Sequence, residues 1–184
     1  MNIIRLADTN DTHSLLKIYT PYVTETSISF ETEIPLISEF QNRIDVILKK
    51  FPFIVYERDH QILGYAYASS HRSRAAYDWS VECSVYVEQG FHSQKIGTRL
   101  YQELFQLLKV QGVVNIYAGI TLPNSNSVKI HENFNFTPIG IYKDAGFKQG
   151  KWWDVQWWQL QLQKPNTPQP LLNRIKKFQI NIEN

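Results

Sequence analysis

At 184 residues the chain is long enough for one domain with a substantial core and short for two. A formal charge of +2, with Lys and Arg scattered along the chain, leaves no basic stripe for nucleic acid, and no segment approaches the roughly 20 apolar residues of a membrane span, so neither partner is expected. Aromatic residues make up 14%, including five Trp and ten Tyr, enough to line a pocket or a subunit interface as well as a core.

Cys83, the single cysteine, excludes an internal disulfide and suits a reducing compartment. The opening MNIIRLADTND has no apolar run of signal-peptide length, so the cytoplasm is the expected location.

In chain order, Asn2 to Leu6 reads as a short strand, and Asp8 to Asp11 offers N-caps for a helix through Leu15, Leu16 and Ile18 that ends near Pro21. Val23 to Glu33, rich in Thr, Ser and Glu, lacks helical periodicity and reads as a loop able to cover a site. Pro35 opens a second helix with Phe40, Ile44, Ile47 and Leu48 at helical spacing. Phe53 to Glu57 and Ile62 to Ser69 read as an antiparallel hairpin around Asp59 and His60. From Trp79 to Val87 apolar and polar residues alternate, which puts Glu82 on the polar face and Cys83 on the apolar one.

A helix follows, with apolar residues at 96, 100, 104, 107 and 108 and a stop at Gly112; Val113 to Ile120 is a further strand, and strand–helix–strand implies a parallel crossover. A turn at Leu122 to Ser127 leads to a short helix, Val128 to Phe134. Two last strands, Phe136 to Tyr142 and Trp152 to Leu162, are joined by the loop KDAGFKQGK. The expected units are one domain over residues 1–163 and a proline-rich tail over 164–184 that lies on its own subunit or a neighbour; a nucleic-acid or membrane role for Arg174, Lys176 and Lys177 is the lesser reading.

The junction inside YDWSVECSVYVEQGFHSQKIGTRLY, residues 77–101, is a strand that runs through a turn into a helix N-terminus. There, unpaired N–H groups and the positive end of the helix dipole suit a phosphorylated ligand. Together with AYDWSVECSVYV at 76–87, HSQKIGTRLY at 92–101, AGITLPNSNSVKIHENFNF at 118–136 and GFKQGKWWDVQWW at 146–158, the chain from Ile3 to about Leu162 resembles the GNAT N-acetyltransferases, and within them the phosphinothricin N-acetyltransferase group.

The resemblance implies an α+β fold, an α/β/α sandwich in which a mixed, mostly antiparallel seven-stranded sheet is splayed at its centre and flanked by about four helices. It implies acetyl-CoA as cosubstrate, no metal, and a homodimer, the last accompanying the pattern that holds Lys148, Trp152 and Asp154. The pyrophosphate would lie at His92, Ser93, Gln94, Lys95, Ile96, Gly97 and Thr98. The family's usual turn is Arg or Gln, two residues, Gly, one residue, Gly or Ala; here only Gly97 remains, and Lys95 stands where a glycine is common. Another residue can replace that glycine if the backbone stays at negative φ, since the N–H donors persist.

Acetyl transfer to an amine needs a base, because an ammonium has no lone pair. Glu82 matches the glutamate this group is thought to use, the alternative being a structural pair with Arg72 or Arg74. His131 matches a repeated histidine that would orient or relay protons at the same site, the alternative being a packed helix residue. The thioester would dock along Ser84, Val85, Tyr86 and Val87, with an oxyanion donor around Val85. Asn124 matches a cofactor contact or is a helix N-cap. Phe136 stands where many relatives place a tyrosine acid.

Arg72, Arg74, Tyr77 and Phe30 would recognise an amino-acid-like acceptor with acidic ends, since Arg presents a fork that fits carboxylate or phosphinate. The expected activity is acetyl transfer to the α-amine of a small amino acid or analogue of the phosphinothricin or methionine sulfoximine type. The rivals are another small amine or a peptide N-terminus as acceptor, and a non-catalytic CoA binder.

Overall fold

The computed structural model describes residues 2–167, 169–172 and 175–182. Eight strands form one sheet: β1 (Asn2–Leu6), β2 (Phe53–Arg58), β3 (Gln61–Ser70), β4 (Ser80–Val87), β5 (Asn115–Thr121), β6 (Thr137–Lys148), β7 (Lys151–Gln161) and β8 (Gln179–Ile182). Their spatial order is β6-β7-β5-β4-β3-β2-β1-β8, and among the described residues the only parallel pair in it is β4 with β5. Among the described residues four α-helices accompany the sheet: α1 (Thr12–Thr24), α2 (Ile37–Leu48), α3 (Ile96–Gln111) and α4 (Ser125–Asn133). Helices α1 and α2 cover one face, with Leu15, Ile18, Phe40 and Ile44 in a core with Phe53, Val55 and Tyr65; α3 covers the other, packing Ile96, Leu100, Leu104 and Leu108 with Ile54, Ala66, Val81 and Ile116. This is the expected sandwich.

The hairpin β2–β3 turns on Asp59 and His60, at φ 49° and 66°, the paired left-handed residues that a two-residue turn between twisted strands requires. Helix α3 ends on Gly112 at φ 96°, where Val113 N–H reaches back to the Leu108 carbonyl at 3.0 Å.

Several boundaries differ from the sequence expectation. Helix α1 continues through Pro21 to Thr24: Pro21 lies in the last turn, where its carbonyl accepts from Glu25 N–H at 2.9 Å, so the ring removes one donor without stopping the helix. Helix α4 begins at Ser125, directly after its cap. The segment expected as the loop KDAGFKQGK is strand. Pairing of β6 with β7 shifts between Tyr142 and Gly146, then resumes to a two-residue turn at Gln149 and Gly150, both at positive φ. Asp154 pins that irregularity, accepting from Asp144 N–H at 3.0 Å and Lys143 Nζ at 2.6 Å. The seven expected strands are joined by an eighth from the tail, β8, antiparallel to β1. Arg174 lies outside the described residues.

Candidate functional site

The site begins where two strands part. Strand β4 pairs with β5 only over Ser80 to Glu82, whereas it pairs with β3 over Val81 to Val87. The His71 N–H to Ser80 carbonyl and Glu88 N–H to Leu63 carbonyl bonds show that even-numbered residues spend their backbone groups on β3. Odd-numbered Val85 and Val87 therefore turn theirs into the gap on the β5 side, because strand backbone groups alternate sides. At Val85 an extended chain carrying amides can pair as a missing strand would.

At Val87 the gap holds a tyrosine. The Tyr22 hydroxyl donates to Val87 C=O at 2.6 Å and accepts from Val87 N–H at 3.2 Å, and His92 Nε2 lies 3.1 Å from the same hydroxyl. Neither contact of Tyr22 is signalled in the sequence, where Tyr22 falls just past the expected helix end at Pro21.

Beyond Val87 the chain turns through Gly90, Ser93 and Lys95, at φ 85°, 64° and 61°, into α3. Lys95 is the N-cap of α3 and offers no side-chain cap; the helix's first backbone bond runs from Arg99 N–H to Lys95 C=O, so the N–H groups of Ile96, Gly97 and Thr98 precede the ladder. The condition set for replacing the turn glycine, a negative φ, is not met: Lys95 takes the left-handed conformation itself. A Cβ on Gly97 would lie 3.4 Å from Ile130 Cδ1 and 3.7 Å from Val85 Cγ2, which explains why Gly or Ala suits a helix that starts against β4. Open strand edge, helix N–H groups outside the intrahelical ladder and close approach together fit a pantetheine arm followed by a pyrophosphate. Across the gap, Asn124 caps α4, its Oδ1 accepting from Ser127 N–H at 3.1 Å.

Glu82 stands where β4 and β5 separate. Its Oε1 lies 2.9 Å from His71 Nδ1 and 3.6 Å from an Arg72 guanidinium nitrogen, and its side chain is 33% exposed. Arg72 also donates to the His71 carbonyl at 2.9 Å. The alternative reading pairs Glu82 with Arg72 or Arg74; the structure places His71 closer to the carboxylate than Arg72. His71 is placed by register: Ser69 faces Glu82 across β3 and β4, so His71 is the diagonal neighbour, a relation invisible until pairing is known. Arg74 and Tyr77 follow in an exposed turn, with Tyr77 edge-on to His71 at 5.9 Å between ring centroids.

The loop between α1 and α2 packs against the β6–β7 hairpin. The Phe30 ring lies so close to Gly146 that a Cβ there would overlap it, and Lys148 Nζ, in a buried side chain, donates to the Ser29 carbonyl at 2.6 Å. Burial lowers the Lys148 pKa, opposed by the charge of Glu31. Glu31 itself pairs with Arg43 and accepts from Tyr19. The expected covering loop is thus tied to the β6–β7 hairpin, and Phe30 sits at the tie.

His131 belongs to the opposite face. Its Nδ1 donates to the Ser127 carbonyl at 2.7 Å, its Nε2 lies 3.4 Å from the Tyr101 hydroxyl, and Phe136 packs edge-on at 4.9 Å. Burial pushes its pKa down, so the imidazole is neutral at pH 7. Cys83, 3.6 Å from the same tyrosine hydroxyl, is buried and its thiol is pushed up to about 12, which makes it core. Alternation along β4 directs Glu82 away from this cluster. Among the described residues no three His, Cys, Asp or Glu side chains are grouped to hold a metal, and no helix is long and apolar enough to cross a membrane.

Comparison with known proteins agrees with this geometry. Residues 4–157 match the acetyltransferase (GNAT) domain family. The chain is 33% identical over 168 residues to the phosphinothricin N-acetyltransferase of Streptomyces viridochromogenes, covering 91% of this chain and 92% of that protein. It is 28% identical over 169 residues to the L-methionine sulfoximine/L-methionine sulfone acetyltransferase of Salmonella typhimurium, covering 90% and 97%. The crystal structure of a GNAT superfamily phosphinothricin acetyltransferase from Sinorhizobium meliloti in complex with AcCoA superposes with a TM-score of 0.86 at 30% identity, over 91% of each chain. A splayed β4, an uncapped α3 and matches that run through both show that the chain belongs to the GNAT acetyltransferases and is an acetyl-CoA-dependent N-acetyltransferase.

Proposed function

We propose that the protein acetylates the α-amine of a small amino acid or analogue, of the phosphinothricin or methionine sulfoximine type, with Glu82 as general base. The observation that carries this is the Glu82 carboxylate at the mouth of the strand gap, held at 2.9 Å by His71. Acetyl-CoA supplies the activated acyl group. Glu82 takes one proton of the acceptor ammonium, which frees the lone pair; the new C–N bond forms as the C–S bond breaks, and the second proton shed by the amine nitrogen goes to the departing thiolate, which leaves as CoA thiol. Val85 N–H, turned into the gap, is the donor to the acetyl oxygen. Ser84, Tyr86 and Val87 line the strand on which the arm lies, His92 to Thr98 receive the pyrophosphate, and Asn124 borders the arm from α4.

Arg72 and Arg74 recognise the acidic ends of the acceptor, with Tyr77 and Phe30 as its apolar walls. His131, expected to act beside Glu82, lies instead on the opposite face, where it holds α4 to Tyr101 of α3 as a packed helix residue. A homodimer is part of the proposal: Ile139, Ile141, Tyr142, Phe147 and Trp152 present an exposed apolar surface on β6 and β7, as a subunit interface does. The cytoplasm, where acetyl-CoA and free amino acids meet, is the proposed location.

The test is thiol release from acetyl-CoA with phosphinothricin, methionine sulfoximine and a panel of amino acids, on the wild type and Glu82→Gln. Acceptor-dependent release that drops at least about tenfold in Glu82→Gln is expected, the low end of general-base contributions. Release only with other amines or with peptide N-termini would move the acceptor class, and full activity in Glu82→Gln would remove Glu82 as the base.

A further inference from the structure

His71 is held from several sides. Its ring stacks on Tyr117 of β5 at 4.4 Å between centroids and 22° between planes, meets Tyr77 edge-on at 5.9 Å, and meets Trp157 of β7 edge-on at 6.2 Å. Its side chain is 14% exposed, against 33% for Glu82, so the imidazole is the more buried partner of the pair. A carboxylate has only acceptors, so the 2.9 Å contact to Glu82 Oε1 fixes the proton on Nδ1. The Arg72 guanidinium approaches the same Oε1 less closely, at 3.6 Å, and is half exposed.

We propose that His71 is a positioning residue for acceptor deprotonation: its Nδ1–H, locked by the aromatic cage, holds Glu82 Oε1 so that Oε2 faces the acceptor amine. The inference rests on the reading of Glu82 as the base. A glutamate side chain has three rotatable bonds, and without an anchor its oxygens sweep more than the tolerance of a near-attack geometry, where about 1 Å of misplacement costs about a hundredfold in rate. The stacked ring on Tyr117 removes that freedom at the imidazole, and the hydrogen bond passes the constraint on to the carboxylate.

Two substitutions separate the hydrogen bond from the ring. His71→Phe keeps an aromatic ring on Tyr117 and loses the donor; His71→Asn places an amide N–H close to where Nδ1–H was and loses the ring. The expected result is a kcat about 10- to 100-fold lower in His71→Phe, with the acceptor KM within about threefold and acetyl-CoA binding by calorimetry unchanged. His71→Asn is expected to keep kcat within about fivefold of wild type. His71→Phe/Glu82→Gln should be no slower than Glu82→Gln, because the histidine acts through the carboxylate. Thermal melting of each variant confirms that it folds.

A slow Asn variant beside an active Phe variant would show that the ring only fills space, and would overturn the proposal. Equal, full activity of both would do the same while leaving Glu82 as the base, provided Glu82→Gln is slow. An active Glu82→Gln would overturn the Glu82 reading itself and the role of His71 with it.

Discussion

Lys95 holds a left-handed backbone, φ 61°, at the first residue before α3. For a residue with a Cβ this conformation costs about 1–2 kcal/mol, which glycine would relieve while adding about 0.4–1 kcal/mol of unfolded-state freedom. Lys95→Gly is therefore expected to melt within a few degrees of wild type, and Lys95→Ala, which keeps the strain, to be no more stable than Lys95→Gly. Both remove the ammonium beside the proposed pyrophosphate site. Both should weaken acetyl-CoA binding several-fold at low salt, with a smaller difference at high salt, because the effect is electrostatic. Calorimetric titration at two salt concentrations checks this, and wild-type affinity in Lys95→Gly would show that the charge contributes nothing. At this scale the sequence was readable where one strand alone decides the answer. Period two put Glu82 on the polar face and Cys83 in the core, and both placements hold. It was unreadable where two strands decide, as for His71, whose meeting with Glu82 depends on the register of β3 against β4. The sign of φ at Lys95 was also hidden, since a lysine there argues for the ordinary backbone that the turn does not adopt.

The elements around the site are fixed by contacts between loops and strand ends. Gly146 receives the Phe30 ring with no room for a Cβ, and Lys148 ties the neighbouring Ser29 carbonyl. Gly146→Ala must displace the ring or the loop, at an overpacking cost of about 1–3 kcal/mol. The expected outcome is a raised acceptor KM with acetyl-CoA binding retained, since α3 and the open edge of β4 lie elsewhere. Phe30→Ala alone leaves a gap, and Phe30→Ala combined with Gly146→Ala should recover part of the stability lost by Gly146→Ala, a coupling that a double-mutant cycle measures. Additive losses would mean that the two residues do not share this contact in solution. The sequence presented residues 143–151 as a loop because of its two glycines and its charges. In the structure Asp154 absorbs the irregularity at Asp144, and Gln149 with Gly150 makes a turn tight enough for both strands to run on. Glycine marked a close approach at one position and a hairpin turn at the other, and composition does not separate the two.

At the scale of the whole molecule, the family resemblance carried the sandwich and its splayed sheet, whereas the tail was the part least legible. Its three prolines within six residues argue for a linker, and four residues of alternating pattern, Gln179 to Ile182, are too short to announce a strand. Only the free edge of β1, which no local pattern reveals, gives them a partner. The tail also donates and accepts along its path: Trp79 Nε1–H bonds to the Gln169 carbonyl at 2.8 Å, Leu172 N–H to the Gln111 carbonyl at 3.0 Å, and Leu6 N–H to the Phe178 carbonyl at 3.2 Å. Leu171, Ile175, Phe178, Ile180 and Ile182 pack, partly buried, against the main core. Five half-buried side chains at about 1 kcal/mol each, from the 1.5–3 kcal/mol of full burial, contribute on the order of 5 kcal/mol, a large part of the 5–15 kcal/mol that holds a typical domain. Removal of residues 164–184 is therefore expected to lower the melting temperature by on the order of 10 °C and to expose β1 as an aggregation-prone edge. Phe178→Asp, which keeps the chain length, should reproduce part of that loss. Trp79 connects this to function, since it precedes β4 and its carbonyl accepts from Val114 and Asn115 N–H where β4 meets β5. If the shortened chain melts within about 2 °C of the full one, the tail is a passenger on the sheet; a loss of both stability and acetyl transfer would make it part of the fold that opens the gap.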